Sequence, residues 1–266
     1  MGLVTSIEEN ISNAHASHSR PAASAEEARN LTHAEWLALL LDCEVGNRNT
    51  RRFQTRLRAA RLRHSQAAIE DVDYRTPRRL DKALFQQLAT CRWIAEHRGL
   101  LVTGPCGVGK SWLSCALAQK ACRDGYTVHY ARVPRLFTDL DLAHGDGRFA
   151  RLFRMLVRVD LLVLDDWGPD RLSTSQRRDL MEIVEDRHGR GSLLITSQLP
   201  LATWHDVIGE PTLGDAILDR IVHNAYRLEL DGPSMRKIKA AEASEPTASP
   251  ATTAAADTKP PKGAKK

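Results

Sequence analysis

From about residue 80 onward the chain alternates between two kinds of hydrophobic pattern. Short unbroken apolar runs cover Leu100–Thr103, Thr127–Ala131, Leu161–Asp165 and Ser192–Thr196. Unbroken runs of this length are how parallel strands read when helices cover both faces of their sheet. Between them, apolar residues recur every three or four positions, which predicts helices. One helix is expected from Leu80 to about Glu96, one from Lys110, others between Pro134 and Arg158, and one over Ser175–His188. A short helical region over Leu213–Val222, a strand over Tyr226–Leu230 and a last helix near Met235 complete the pattern. Strands alternating with helices predict a doubly wound α/β domain on a parallel sheet.

The chain before residue 80 reads differently. A helical pattern runs from about Leu31 to Ile69, opened by Thr32 with Glu35 three places on, the arrangement of a capping box. Trp36, Leu37, Leu40 and Leu41 then give one apolar face. Asp71–Arg79 reads as a linker carrying Pro77. Residues 1–30 lack periodicity, and past Ala240 the composition falls to Ala, Thr, Pro, Ser and Lys, which cannot bury a core. The expected organisation is a flexible N-terminus (1–30), a helical region and linker (31–79), an α/β domain (80–240) and a disordered tail (241–266).

Composition narrows the picture. The formal charge of +5 over 266 residues hints at an anionic partner. Five cysteines, Cys43, Cys91, Cys106, Cys115 and Cys122, form no C-x-x-C pair, and the histidines have no metal-ligand spacing. Both features argue against a disulfide framework or zinc site and for a reducing cytoplasm. No apolar run reaches the length of a membrane span. The opening "MGLVTS" fits the permissive N-myristoylation pattern at Gly2 and Ser6, a match that chance supplies readily.

One stretch carries specific chemistry. "GPCGVGKS" (Gly104–Ser111) lies between a predicted strand and a predicted helix and fits G-x-x-x-x-G-K-[ST] at Gly104, Gly109, Lys110 and Ser111. Such a loop turns its backbone N–H groups onto phosphate oxygens, and the following helix adds its positive dipole end. The binding residues predicted are Gly104, Pro105, Cys106, Gly107, Val108, Gly109, Lys110, Ser111 and Trp112. Lys110 is expected at the β- and γ-phosphates and the Ser111 hydroxyl at Mg²⁺. Later, "DLLVLDDWG" ends an apolar strand in paired carboxylates. Asp165 is the expected Mg²⁺ ligand, and Asp166 the group that polarises an attacking water. "SLLITSQLP" ends another strand in Thr196, Ser197 and Gln198, polar groups suited to sensing a γ-phosphate. The two acidic and phosphate-binding motifs in this order predict ATP binding with Mg²⁺ and hydrolysis.

The order of motifs resembles the IstB-like ATPases, ATP-binding helpers of insertion-sequence transposases, which are related to the helicase loader DnaC and belong to the AAA+ class of P-loop NTPases. The resemblance spans about Thr32 to Lys239 and rests on "LLVTGPCGVGKSWLSCAL", "RVDLLVLDDWG", "RRDLMEIVEDRHGRGSLLITSQLP", "DAILDRIVHNAYRLEL" and "GPSMRK". It implies an arginine finger at Arg220, acting on a neighbouring subunit, and a sensor-2 arginine at Arg236. It places Gln198 at the sensor-1 position, where Asn is common. It places Asp166 where many relatives carry Glu, which implies slow hydrolysis.

Two arginine-rich stretches remain. Seven arginines and no acid lie between Arg48 and Arg63, among them Arg51, Arg52, Arg56 and Arg58. If Arg148–Val159 is helical, Arg148, Arg151, Arg154 and Arg158 share one flank, opposite Phe149, Leu152, Phe153 and Leu156. In relatives the second region touches DNA. Charge runs are more often solvated faces, but arginine suits bidentate phosphate contact. No base-reading module is recognisable, so backbone contact with duplex DNA and little sequence preference is expected. The reading is an ATP-dependent DNA-binding ATPase that oligomerises on ATP binding and assists a cognate transposase in the cytoplasm. The competitors are a DnaC-like helicase loader, a small-molecule kinase, and a DNA-binding protein that uses ATP as glue.

Overall fold

The computed structural model describes residues 32–238. The regions expected to be flexible (1–30) and disordered (241–266), with the Gly2/Ser6 pattern, lie outside the described residues. The chain divides into two compact units, Met1–Arg58 and Ala59–Lys266.

Helix α1 (His33–Ala60) opens the described chain. Its capping box is present: the Thr32 N–H donates to the Glu35 carboxylate at 2.7 Å, and the Glu35 N–H donates to the Thr32 hydroxyl at 3.4 Å. The Thr32 N–H bond, with a second from the Thr32 hydroxyl to the same carboxylate, holds the Glu35 carboxyl below its ordinary range. Leu37, Leu40 and Leu41 of the predicted apolar face are exposed. The helix stops short of the predicted Ile69 because Arg61 adopts a left-handed backbone, φ 54°, where a helix cannot continue.

The second unit is built on a five-stranded, wholly parallel sheet of order β2-β3-β4-β1-β5. Its strands are β1 (Gly99–Thr103), β2 (Val128–Arg132), β3 (Leu161–Trp167), β4 (Ser192–Ser197) and β5 (Ala225–Glu229). The central strand β4 is buried along its whole length, as its apolar run predicts. Register follows from this burial; Leu100 of β1 lies beside Leu194 of β4, and Val163 of β3 beside Leu194 on the other side.

Helices α2 (Lys82–Ala89) and α3 (Arg92–Ala95) precede β1. A single helix was expected here; Cys91, left-handed at φ 58°, separates the two. Then come α4 (Lys110–Arg123), α5 (Val133–Asp146), α6 (Phe149–Arg158), α7 (Thr174–Arg187), α8 (Trp204–Ile208) and α9 (Pro211–Val222). Ser173 and Gln176 form a capping box that starts α7. Helix α8 was not foreseen. It is five residues long, too short to show a period, and Trp204 anchors it in the core at 5.5 Å from Trp167.

Arg187 joins three of these elements. Its guanidinium donates to the carbonyls of Leu156, Val157 and Val159 at the end of α6, of Asp160 before β3, and of Ser192 on β4. Burial pushes its pKa down to about 10, so it stays charged at neutral pH. The carbonyls at the end of a helix need partners, and here one buried arginine supplies them. No helix among the described residues is long and apolar enough to cross a membrane.

Candidate nucleotide-binding site

In a parallel sheet every strand ends at the same edge, and ligands gather there. The Gly104–Ser111 loop leaves β1 at that edge and enters α4 at Lys110. Gly104 and Gly107 have φ of 145° and 87°. A side chain at Gly104 would meet the Leu230 backbone, and one at Gly107 would meet Ser234. The glycines therefore accommodate the protein's own C-terminal segment as well as any phosphate. That segment is pinned to the loop by Leu230 N–H to Thr103 O (2.8 Å) and Met235 N–H to Gly107 O (2.9 Å).

Lys110 is buried, and its ammonium donates to the Gly104 and Pro105 carbonyls at 2.6 and 2.8 Å. Burial lowers its pKa. The segment expected to be a linker packs on the same loop. Arg78 is buried, donating to Val108 O at 3.2 Å and Asp73 O at 2.7 Å, and its Nε has no hydrogen-bond partner.

The paired carboxylates lie at the end of β3. Successive strand residues ordinarily face opposite sides. Here Leu164 pairs with Ile195 and Trp167 with Ser197, so β3 carries one extra residue, a bulge, and Asp166 sits at φ 61°. Bulges re-aim side chains beside functional sites. Asp165 is fully buried and accepts hydrogen bonds from Ser111 Oγ at 2.8 Å, from Thr196 Oγ1 and from the Tyr130 hydroxyl. Burial, reinforced by this bond to Asp165, drives the Tyr130 phenol far above its ordinary pKa. Asp166 is partly exposed and paired with Arg132, whose Nη2 is 2.7 Å from Oδ2. The Asp166 N–H donates to Thr196 Oγ1 at 3.1 Å.

A cleft of about 720 Å³ opens over these groups. Of the residues expected to bind nucleotide, Cys106, Gly107, Gly109, Lys110, Ser111 and Trp112 line it, together with Asp166, Gln198 and Arg236. Gly104 and Pro105 hold Lys110 from behind, and Val108 is buried in the core. Arg220 lines a separate, smaller pocket beside His188 and Asn224, where its Nε is 2.6 Å from Glu185 Oε2.

The cleft also contains residues that spacing did not single out: Arg63, His64, Asp73, Arg75, Thr76, Arg78 and Arg132. Arg63 was read as part of a cationic surface, yet its Nη1 is 3.9 Å from Asp165 Oδ2. A buried carboxylate requires such partners, so the Asp165 strand end was the one available hint.

The remaining arginines are on helix faces. Arg51, Arg52 and Arg58 of α1 are exposed and Arg56 is half-buried. On α6, Arg151, Arg154 and Arg158 are exposed, as is Arg148 just before it, while Leu156 is buried and Phe149, Leu152 and Phe153 pack on the core. The predicted two-sided helix is thus formed. Arg148 is paired with Asp146, 2.7 Å from Nε.

The chain is similar to known proteins in sequence and in fold. An insertion sequence ATP-binding protein of Sinorhizobium fredii, y4pL, is 58% identical over 211 residues, covering 79% of this chain and 86% of that one. Among solved structures, DnaI superposes with a TM-score of 0.55 at 24% identity, covering 62% of this chain and 91% of that one. The DnaC helicase loader superposes with a TM-score of 0.52 at 23% identity, covering 63% and 98%. The fold is the P-loop AAA+ fold of these neighbours. A family model described as "IstB-like ATP binding protein" matches residues 9–243, and the chain belongs to that family.

Proposed function

We propose that this protein is an ATP-dependent, DNA-binding AAA+ ATPase that assists a transposase. The observation that carries the reading is convergence: Lys110, Ser111, Asp166, Gln198 and Arg236, drawn from four separate parts of the chain, line one cleft, and Ser111 is hydrogen-bonded to the buried Asp165. Backbone amides of the Gly104–Ser111 loop and the Lys110 ammonium bind the triphosphate; Lys110 then exchanges two loop carbonyls for phosphate oxygens.

Ser111 Oγ and Asp165 Oδ1, hard oxygens 2.8 Å apart, fit a magnesium ion. Bound there, it would neutralise phosphate charge. Asp166 polarises the attacking water once its carboxylate is released from Arg132, and Gln198 and Arg236 contact the phosphates from the cleft wall. Arg220, outside its own chain's cleft, serves a neighbouring subunit, so ATP joins subunits. The arginine faces of α6 and α1 bind duplex DNA through phosphates, without base preference.

Names of relatives as insertion sequence proteins support a transposase as partner. The AAA+ fold is equally that of a helicase loader, so partner capture is the deciding experiment. The full chain with ATP and duplex DNA retains a cognate insertion-sequence transposase and leaves a hexameric helicase unbound. The reverse outcome makes it a loader. ADP formation that requires a metabolite acceptor, with the γ-phosphoryl group carried onto that acceptor, and that ignores DNA makes it a kinase. Binding without repeated turnover makes ATP an adhesive alone.

A further inference from the structure

The two oxygens of the buried Asp165 carboxylate are held from different strands. Oδ1 accepts from Thr196 Oγ1 of β4 and, at 2.8 Å, from Ser111 Oγ. Oδ2 accepts from the Tyr130 hydroxyl of β2 at 2.5 Å. The last torsion of an aspartate is soft, so a carboxylate anchored at one oxygen swings. Anchored at both, its plane is fixed and Oδ1 stays toward Ser111. Tyr130 comes from the same strand as Arg132, two positions earlier and on the same face, so β2 supplies one holder for each carboxylate of β3.

We propose that Tyr130 is a positioning residue for the divalent cation of the nucleotide site, fixing Asp165 so that its Oδ1 and the Ser111 hydroxyl form a ready pair of oxygen ligands. The inference rests on the nucleotide-binding reading above. For Ser111 to ligate a cation, its O–H must turn away from Asp165 and present a lone pair. Oδ1 then loses one donor. The Tyr130 bond is made to the other oxygen, so the cation does not compete for it. Phenylalanine at position 130 keeps the ring but leaves Oδ2 short of a donor in a buried site. Groups that orient metal ligands in this way contribute tenfold or more to metal affinity.

The test is a magnesium titration of wild type and Tyr130→Phe with a fluorescent ATP analogue, repeated in EDTA. Tyr130→Phe should need about tenfold more magnesium for half-maximal binding, with its metal-free affinity for the analogue unchanged. The metal-free arm also reports whether the variant folds. Equal magnesium dependence in the two proteins overturns the proposal, and so does an equal loss in both arms, which makes Tyr130 merely structural. Wild-type binding indifferent to magnesium removes the proposal while leaving the nucleotide site standing. Absence of binding by wild type removes both.

Discussion

The protein carries two sets of arginines that look alike in composition and differ in kind. Those on α6 are exposed at a regular helical spacing, and their positions follow from sequence period alone. Those around the cleft obey no period. Arg78 is buried against the loop carbonyl of Val108, Arg132 is paired with Asp166, and Arg63 approaches Asp165. The difference teaches where each set acts. An exposed row of cations works through a salt-screened field that any polyanion can satisfy. A cation held against one fixed partner works through geometry and fails with one substitution.

That contrast is sharpest at Asp166. Asp166→Asn should lower ATP turnover by about 10²–10⁴-fold, the usual contribution of general-base catalysis, while ATP affinity and DNA binding persist. Unchanged phosphate release would mean that another group activates the water. Apart from both sets, His129 of β2 is buried, and burial pushes its pKa down to about 4. The unfolded chain binds a proton near pH 6.5, the fold only near pH 4. Stability is therefore kept above pH 6.5 and lost as pH falls toward 4, by about 3 kcal/mol in all. Denaturant titrations at pH 7 and pH 4.5 should show His129→Leu losing less stability on acidification than wild type. An equal loss would exclude His129 as the source.

Arg78→Met keeps most of the buried stem but leaves the Val108 and Asp73 carbonyls without their donor. A cost of about 1–3 kcal/mol is expected, read as a drop in melting temperature. An unchanged melt would mean that water replaces the guanidinium. The smallest effects belong to α6. Arg151→Ala with Arg154→Ala should weaken duplex binding uniformly across sequences and reduce the log–log salt slope by about 2. A sequence-dependent loss, or an unaltered slope, would remove phosphate contact from that helix. ATP turnover without DNA should not change.

The same contrast sorts what the sequence made legible. The strands, α4 and the Gly104–Ser111 loop were readable because an apolar run, a period or a spacing is local. So was the α6 face, since Arg148, Arg151, Arg154 and Arg158 need only a helix to align. The bulge at Asp166 was not readable, because it exists only as a mismatch between β3 and β4. Nor were Tyr130 and Arg132 on their carboxylates, or Arg78 under the loop, since each contact joins residues about thirty positions apart. Non-local pairing of this kind leaves no periodic trace. The apolar face of α1 erred the other way: its period is plain, but period does not say whether Leu37, Leu40 and Leu41 are covered.

Every role proposed for the cleft requires a triphosphate bound by the loop and Lys110. Isothermal calorimetry of the full chain with magnesium and ATP should detect one saturable site per chain, weakened about a hundredfold or more in Lys110→Ala, the loss expected when charge-assisted bonds to phosphate go. No binding heat from folded wild type, or equal affinity in Lys110→Ala, would contradict it.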